Sequence, residues 1–384
     1  MPTLCPTRGY PQQVPEYIEA FRSFTMAHPR LRQAKEDLLD AIESSPPGSL
    51  ILVVGPTGVG KSTLRRKVEE SLTERLMDSM AMDPSRLPFI SIEAVAPDNG
   101  NFQWRDYFHR VLMHMREPLL EYKLGSLKGE AERDRHGPNA AGPRGFTGYQ
   151  LQQSLENALR YRRPAAVFID EAQHLARMAS GRKLADQLDV IKSVASRSQT
   201  IHVLIGTYEL LAFRNLSGQL SRRSVDLHFS RYCSENANDI EIFQNAVFTF
   251  QRQLPLSGGF DLVAAWDFLY ERSLGCIGVL KDWLMRALVS GLRNRNATLT
   301  LPTLEKTALS VSQCEKILSE AREGEARLAE ANDRCRLRHL LNLPPNVSPP
   351  ASESSTRGRK AQQGSPGRRR PQRDAIGKSQ VSCG

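Results

Sequence analysis

The run Gly55-Pro56-Thr57-Gly58-Val59-Gly60-Lys61-Ser62-Thr63 leaves this chain few choices of fold. It follows the apolar stretch Leu50–Val54 and leads into Leu64-Arg65-Arg66-Lys67-Val68-Glu69-Glu70. Buried strand, glycine-rich turn and helix form the setting in which G-x-x-x-x-G-K-[S/T] has a mechanism. Glycines let the backbone curl until its N–H groups converge on phosphate oxygens, where a Cβ would collide. The helix that follows adds the positive end of its dipole. Lys61 is expected to reach the β- and γ-phosphates, and Ser62 to offer its hydroxyl to Mg²⁺. The loop from Gly55 through Thr63 is therefore expected to bind a nucleoside triphosphate, ATP.

A second motif sits about a hundred residues on. The apolar strand Ala165-Ala166-Val167-Phe168-Ile169 ends in Asp170 and Glu171. Asp170 is expected to hold Mg²⁺ through its water shell, and Glu171 to orient and deprotonate the attacking water. Alone, such a pair would also serve to cap the next helix; beside the phosphate loop it reads as the second half of an ATP site. The next buried strand, Ile201–Gly206, ends in Thr207, either a sensor of water or γ-phosphate or the cap of a helix from Tyr208. A further helix closes on Gln219-Leu220-Ser221-Arg222-Arg223. Paired arginines there either satisfy the helix dipole or reach a neighbouring subunit's ATP as a finger. Lys281, near the start of a helix opened by Gly275-Cys276-Ile277-Gly278, is a candidate second sensor.

Between these motifs the chain alternates strands and helices. Leu31, Ala34, Leu38, Leu39 and Ile42 share one helical face, and Pro46-Pro47-Gly48 stops that helix. Such a helix either covers the adenine base or simply packs on the core. Leu87–Val95 reads as a strand, and Phe102–Leu120 as a helix whose aromatic stripe belongs to the core. Residues 124–146 are rich in Gly, Pro and charge and read as a mobile loop. Thr147-Gly148-Tyr149-Gln150 is a capping box for a helix through Arg162. Helices follow over Ile240–Gln253, Leu262–Ser273, Ile277–Leu292 and Pro302–Leu341.

Hydrophobic residues make up 40% of the 384 and charged residues 24%, the balance of a soluble globular protein. No run of eighteen apolar residues and no signal-peptide layout appears, so no membrane partner is expected. Cys5, Cys233, Cys276, Cys314, Cys335 and Cys383 are scattered without a C-x-x-C pair and read as reduced thiols of a cytoplasmic protein. Residues 343–384 hold eight Lys or Arg against two acids, a surplus of six out of the chain's net +10. That Pro-, Ser- and Arg-rich tail is expected to be disordered and to attract nucleic acid electrostatically.

The order of motifs — phosphate loop, carboxylate strand, polar-tipped strand, arginine helix, helical lid — resembles that of AAA+ ATPases. Within them, Gly55–Thr63, Phe168-Ile169-Asp170-Glu171-Ala172-Gln173-His174-Leu175, Ile205-Gly206-Thr207 and Gln219–Arg223 resemble the TniB/TnsC family of transposition regulators over residues 15–300. The AAA+ resemblance implies an α/β P-loop fold with a parallel five-stranded sheet in the order 5-1-4-3-2, flanked by helices and followed by a small helical lid. It divides the chain into an N-terminal extension (1–48), an ATPase core (49–235), a lid with a C-terminal helix (236–342) and the basic tail (343–384). The TniB/TnsC resemblance further implies ATP-dependent rings or helical filaments on duplex DNA that link a TniQ-type target selector to a separate transposase. The setting would be bacterial, nucleoid-associated when on DNA. Arg105, Arg144 and Thr147 are the positions this resemblance brings to DNA. The competing readings are an initiator or helicase loader, an ExeA-like ATPase, and a DNA-coating scaffold with incidental hydrolysis. Residues 236–342 are barely long enough for a lid and one more helix, which disfavours an initiator's extra DNA-reading domain.

Overall fold

The computed structural model describes residues 16–96, 102–118, 120, 148–175, 182–214, 224–254, 260–293, 299–331 and 334–343. Five strands carry the architecture: β1 (Leu50–Val54), β2 (Phe89–Glu93), β3 (Ala166–Asp170), β4 (Ile201–Gly206) and β5 (Ser224–His228). All pair in parallel, in the order β2-β3-β4-β1-β5, which is the expected order. The three inner strands are buried along their whole length, as parallel strands covered on both faces must be.

Alternation along each strand divides the core in two. Leu50, Leu52, Val54, Val167, Ile169 and Leu204 face one cluster, with α4 (Trp104–His114), α5 (Gly148–Arg162) and α6 (Arg182–Ser198). Ile51, Val53, Phe168, Val203 and Ile205 face the other, with α2 (Pro29–Ser44) and α3 (Lys61–Met82). The leucine face of α2 thus serves the core, and the aromatic stripe of α4 does too: Tyr107, Phe108, Val111 and Leu112 are all buried.

A third cluster lies beyond the sheet. It joins α8 (Ala237–Gln251), α9 (Trp266–Ser273), α10 (Ile277–Arg293) and α11 (Leu301–Thr307) around the fully buried Trp283. The amino-terminal α1 (Glu16–Ser23) adds Ile18 and Phe21 to this same cluster. A short α7 (Leu211–Arg214) follows β4.

The stretch read as one helix over Pro302–Leu341 is interrupted. α11 ends at Thr307, and α12 (Val311–Ala331) restarts behind a reciprocal cap. The Gln313 amide N–H donates to Ser310 Oγ (3.3 Å), and the Ser310 N–H to Gln313 Oε1 (2.9 Å). This is a Ser-x-x-Gln capping box, which satisfies two orphan donors at once. α12 then returns to the sheet domain, where Ala321 and Leu328 join the first cluster. Its Gly324 lies flat on Tyr208; an added Cβ would come within 2.0 Å of that ring. One residue on, Glu325 takes both ends of the Arg231 guanidinium at 2.9 and 3.1 Å. Separately, α13 (Arg334–Leu340) is a short basic helix.

Two histidines are held neutral by this packing. His202, in β4, is buried and hydrogen-bonds the Thr200 carbonyl at 3.0 Å. Burial lowers its pKa from 6.5 to about 4, opposed by that bond. His28 caps α2, and its Nδ1 faces the Tyr232 hydroxyl at 2.9 Å. Burial, then Arg30 and Arg32, lower it to about 4 as well. Below pH 6.5 the unfolded chain takes up protons that these folded sites refuse until about pH 4, so stability falls as pH drops through that window. For His202 alone the loss should reach roughly 3 kcal/mol by pH 4. Urea titrations between pH 7 and 4 should show this slope, and His202→Gln should make it shallower, leaving the share of His28.

Candidate functional site

The loop after β1 turns on two glycines in the left-handed region, Gly58 (φ 74°) and Gly60 (φ 112°), and α3 begins at Lys61. Gly55 has no room for a side chain, since a Cβ would lie 2.2 Å from the Phe229 carbonyl oxygen. Lys61 is buried, and its ammonium donates to the carbonyls of Gly55 (3.0 Å) and Pro56 (2.9 Å). Burial pushes its pKa below the ordinary value, while the carboxylates of Glu171 and Asp170 pull it back. The lysine and the acidic pair thus share one electrostatic site. Ser62 is exposed at the head of α3, and Thr63 beside it is half-buried.

At the carboxyl end of β3 the two acids diverge. Asp170 is buried; its Oδ1 accepts the Glu171 N–H (3.0 Å) and its Oδ2 the Arg65 Nε–H (3.1 Å). Arg65, one turn into α3, also donates to Glu69 (2.9 Å) and to the Ser91 hydroxyl on β2. Glu171 adopts a left-handed backbone (φ 51°), rare for a residue with a side chain, and this swings it out of line with Asp170. Its carboxylate accepts from Gln173 Nε2 in the 3₁₀ turn Ala172–Leu175. Arg65 and Gln173 escaped the reading from sequence. Gln173 stands in the run quoted after Glu171 but has no role assigned there, and the contact of Arg65 with Asp170, 105 residues apart, leaves no local pattern.

Thr207 stands at the tip of β4, before the 3₁₀ turn Tyr208–Leu210. Its side chain makes no capping bond, and its hydroxyl oxygen is buried without a partner among the described residues. The cap alternative is thereby removed. An orphaned buried hydroxyl at the end of a central strand suits a ligand group.

The N-terminus of α10 closes the loop's other side. The Val279 N–H donates to the Gly58 carbonyl (3.0 Å), and the two chains meet glycine to glycine. A Cβ on Gly278 would lie 2.4 Å from Gly58 O. Lys281, the candidate second sensor, points elsewhere: its ammonium donates to the Arg22 carbonyl at the end of α1 (2.9 Å). Arg105 is exposed on α4. Arg144, Thr147, Arg222 and Arg223 lie outside the described residues, as do the stretch 124–146 and the tail from 344 onward.

Residues 47–213 match the family model described as AAA domain. That segment holds both the phosphate loop and the acidic strand. With the sheet order, it makes the fold that of an AAA+ P-loop NTPase. No curated protein matches the chain. Among solved structures, the chain is similar to the ORC2 protein of Aeropyrum pernix in its ADP form, at 15% identity over 75% of this chain and 71% of that one (TM-score 0.48). It is similar to a Walker-type ATPase of Pyrococcus abyssi at 17% identity, over 78% and 75% (TM-score 0.44). The ORC1 protein of Aeropyrum pernix, solved in complex with DNA, is similar at 18% identity over 77% and 67% (TM-score 0.46). No helix among the described residues is long and apolar enough to cross a membrane.

The contact of Gly278 with Gly58 yields a direct test. Gly278→Ala should push α10 off the phosphate loop and cost about 1–3 kcal/mol, the usual range for overpacking. Chemical denaturation measures the cost, and binding of a fluorescent ATP analogue should weaken in parallel.

Proposed function

We propose that this chain binds and hydrolyses ATP, and that nucleotide state governs its assembly on duplex DNA. What carries the reading is the convergence of Lys61, the Asp170–Glu171 pair and the unpartnered Thr207 hydroxyl on one loop built of left-handed glycines. Lys61 would neutralise the β- and γ-phosphates once its two carbonyl contacts are given up. Thr207 would meet the γ-phosphate or the attacking water, and Glu171 would take that water's proton. Lys281 would act as second sensor only by leaving the Arg22 carbonyl, which would tie nucleotide contact to α1. Arg222 or Arg223 would reach a neighbouring subunit's ATP.

The donor set also fits Mg²⁺. Among the described residues no group of three or more His, Cys, Asp or Glu could cage a metal. Ser62 and Asp170 would hold the ion together with phosphate oxygens and water, the sparse protein ligation that Mg²⁺ favours. When bound it supplies charge neutralisation across the phosphates. Asp170 would have to loosen from Arg65 to take part.

Beyond hydrolysis, the motif resemblance to TniB/TnsC regulators supports a ring or filament that links a TniQ-type target selector to a separate transposase. Arg105, Arg144 and Thr147 would face DNA, with the basic segment 343–384 adding sequence-independent attraction. Residues 49–235 would form the motor and 236–342 a lid over the nucleotide, with 1–48 leading into them. A cytoplasmic, nucleoid-associated setting goes with this reading.

Glu171→Gln should keep nucleotide affinity while lowering ATP turnover about 10²-fold or more. On duplex DNA with ATP this variant should remain in nucleotide-dependent assemblies visible by electron microscopy, whereas the parent protein should release them. Persistent monomers with a non-hydrolysable analogue would remove the subunit-bridging arginine. A variant that still directs integration normally would favour a DNA-coating scaffold instead.

A further inference from the structure

We propose that Gln173 is a positioning residue for hydrolysis, whose side-chain amide binds the Glu171 carboxylate to the tip of β4 at Thr207. This rests on the ATP-hydrolysing reading above and adds to it a group that couples the two halves of the site.

Gln173 is buried, in the 3₁₀ turn that follows β3 directly. Its Nε2 donates to Glu171 Oε2, and its Oε1 accepts the Thr207 N–H at 3.2 Å. The two partners fix which way the amide faces. A carboxylate only accepts and a backbone N–H only donates, so nitrogen must turn to Glu171 and oxygen to Thr207. No other common side chain of this length offers a donor at one end and an acceptor at the other. Glutamate would set a second carboxylate against Glu171, and leucine would leave both partners unpaired.

The surrounding backbone is shaped to this amide. Gly206 precedes Thr207, and a Cβ there would come within 2.3 Å of Gln173 Oε1 and 3.2 Å of the Gln173 nitrogen. Glu171 keeps a left-handed backbone with φ 51°, a strained conformation that persists only where neighbours hold it. Thr207 gives its N–H to Gln173 and keeps its hydroxyl unpartnered. One buried amide thus sets the spacing between the carboxylate that would take a proton from water and the hydroxyl that would sense the γ-phosphate. A shift of the β4 tip is passed to Glu171 through two hydrogen bonds.

The test uses the full chain with ATP and Mg²⁺, measuring steady-state turnover, nucleotide affinity and melting temperature. Glu171→Gln is the reference: loss of turnover in that variant upholds hydrolysis at this site. Gln173→Leu and Gln173→Glu should then each lower kcat about 10- to 100-fold, the cost of a hydrogen bond to a charged group. Nucleotide affinity should stay near the parent value, while melting temperature falls only by what two unpaired buried partners cost. Gly206→Ala, whose Cβ would press on the same amide oxygen at 2.3 Å and on the Leu210 side chain at 2.9 Å, should lower kcat in the same way. Added to Glu171→Gln, Gln173→Leu should cause no further loss. A kcat within about threefold of the parent in both Gln173 variants would overturn the proposal. So would losses of affinity and melting temperature that match the loss of kcat, or full additivity in the double variant. Absence of turnover in the parent protein, or turnover retained by Glu171→Gln, would instead sink the hydrolysis reading itself and this proposal with it.

Discussion

The hydrogen bond from Val279 N to Gly58 O is the contact on which the rest of the arrangement turns. It joins the phosphate loop, at the carboxyl edge of the sheet, to the first turn of α10 in the helical cluster. The bond is possible only because glycine faces glycine: side chains on Gly278 or Gly58 would each meet the opposite chain within 2.4 Å. Two hydrophobic cores are thereby fastened at the point where a phosphate would sit.

Much of the fold is legible in local pattern. The short apolar runs at Leu50–Val54 and Ala166–Ile169, each closed by a motif, read as strands buried on both faces, and the loop glycines need no tertiary context to be read. The aromatic residues of α4 follow a helical period and belong to the core. Where reading failed, the deciding interaction lay outside any period. The break before α12 depends on Ser310 and Gln313 completing each other, a signature set between two helical stretches. The acidic pair was plain in sequence; its keepers were not. Arg65 reaches Asp170 across 105 residues, and Gln173 reaches Thr207 across 34, and contacts of that kind leave no spacing to detect.

The two carboxylates illustrate how a single strand end can give adjacent residues different work. Asp170 continues the strand and is paired on both oxygens, by Arg65 and by the Glu171 N–H. Glu171 turns aside through an unusual backbone angle and is held by one neutral amide.

α12 carries a consequence for where this protein begins and ends as a unit. The segment that matches an AAA domain stops at residue 213, a hundred residues before the helix that covers it. Gly324 shields the ring of Tyr208, Ala321 and Leu328 complete the core beneath, and Glu325 neutralises the largely buried Arg231. Trimmed to its matched portion, the chain would lose β5 and Arg231 as well as α12, and would present the bare aromatic face of Tyr208 to water. The matched segment is therefore not a self-sufficient module, and its architecture is finished only when the ribosome has delivered α12.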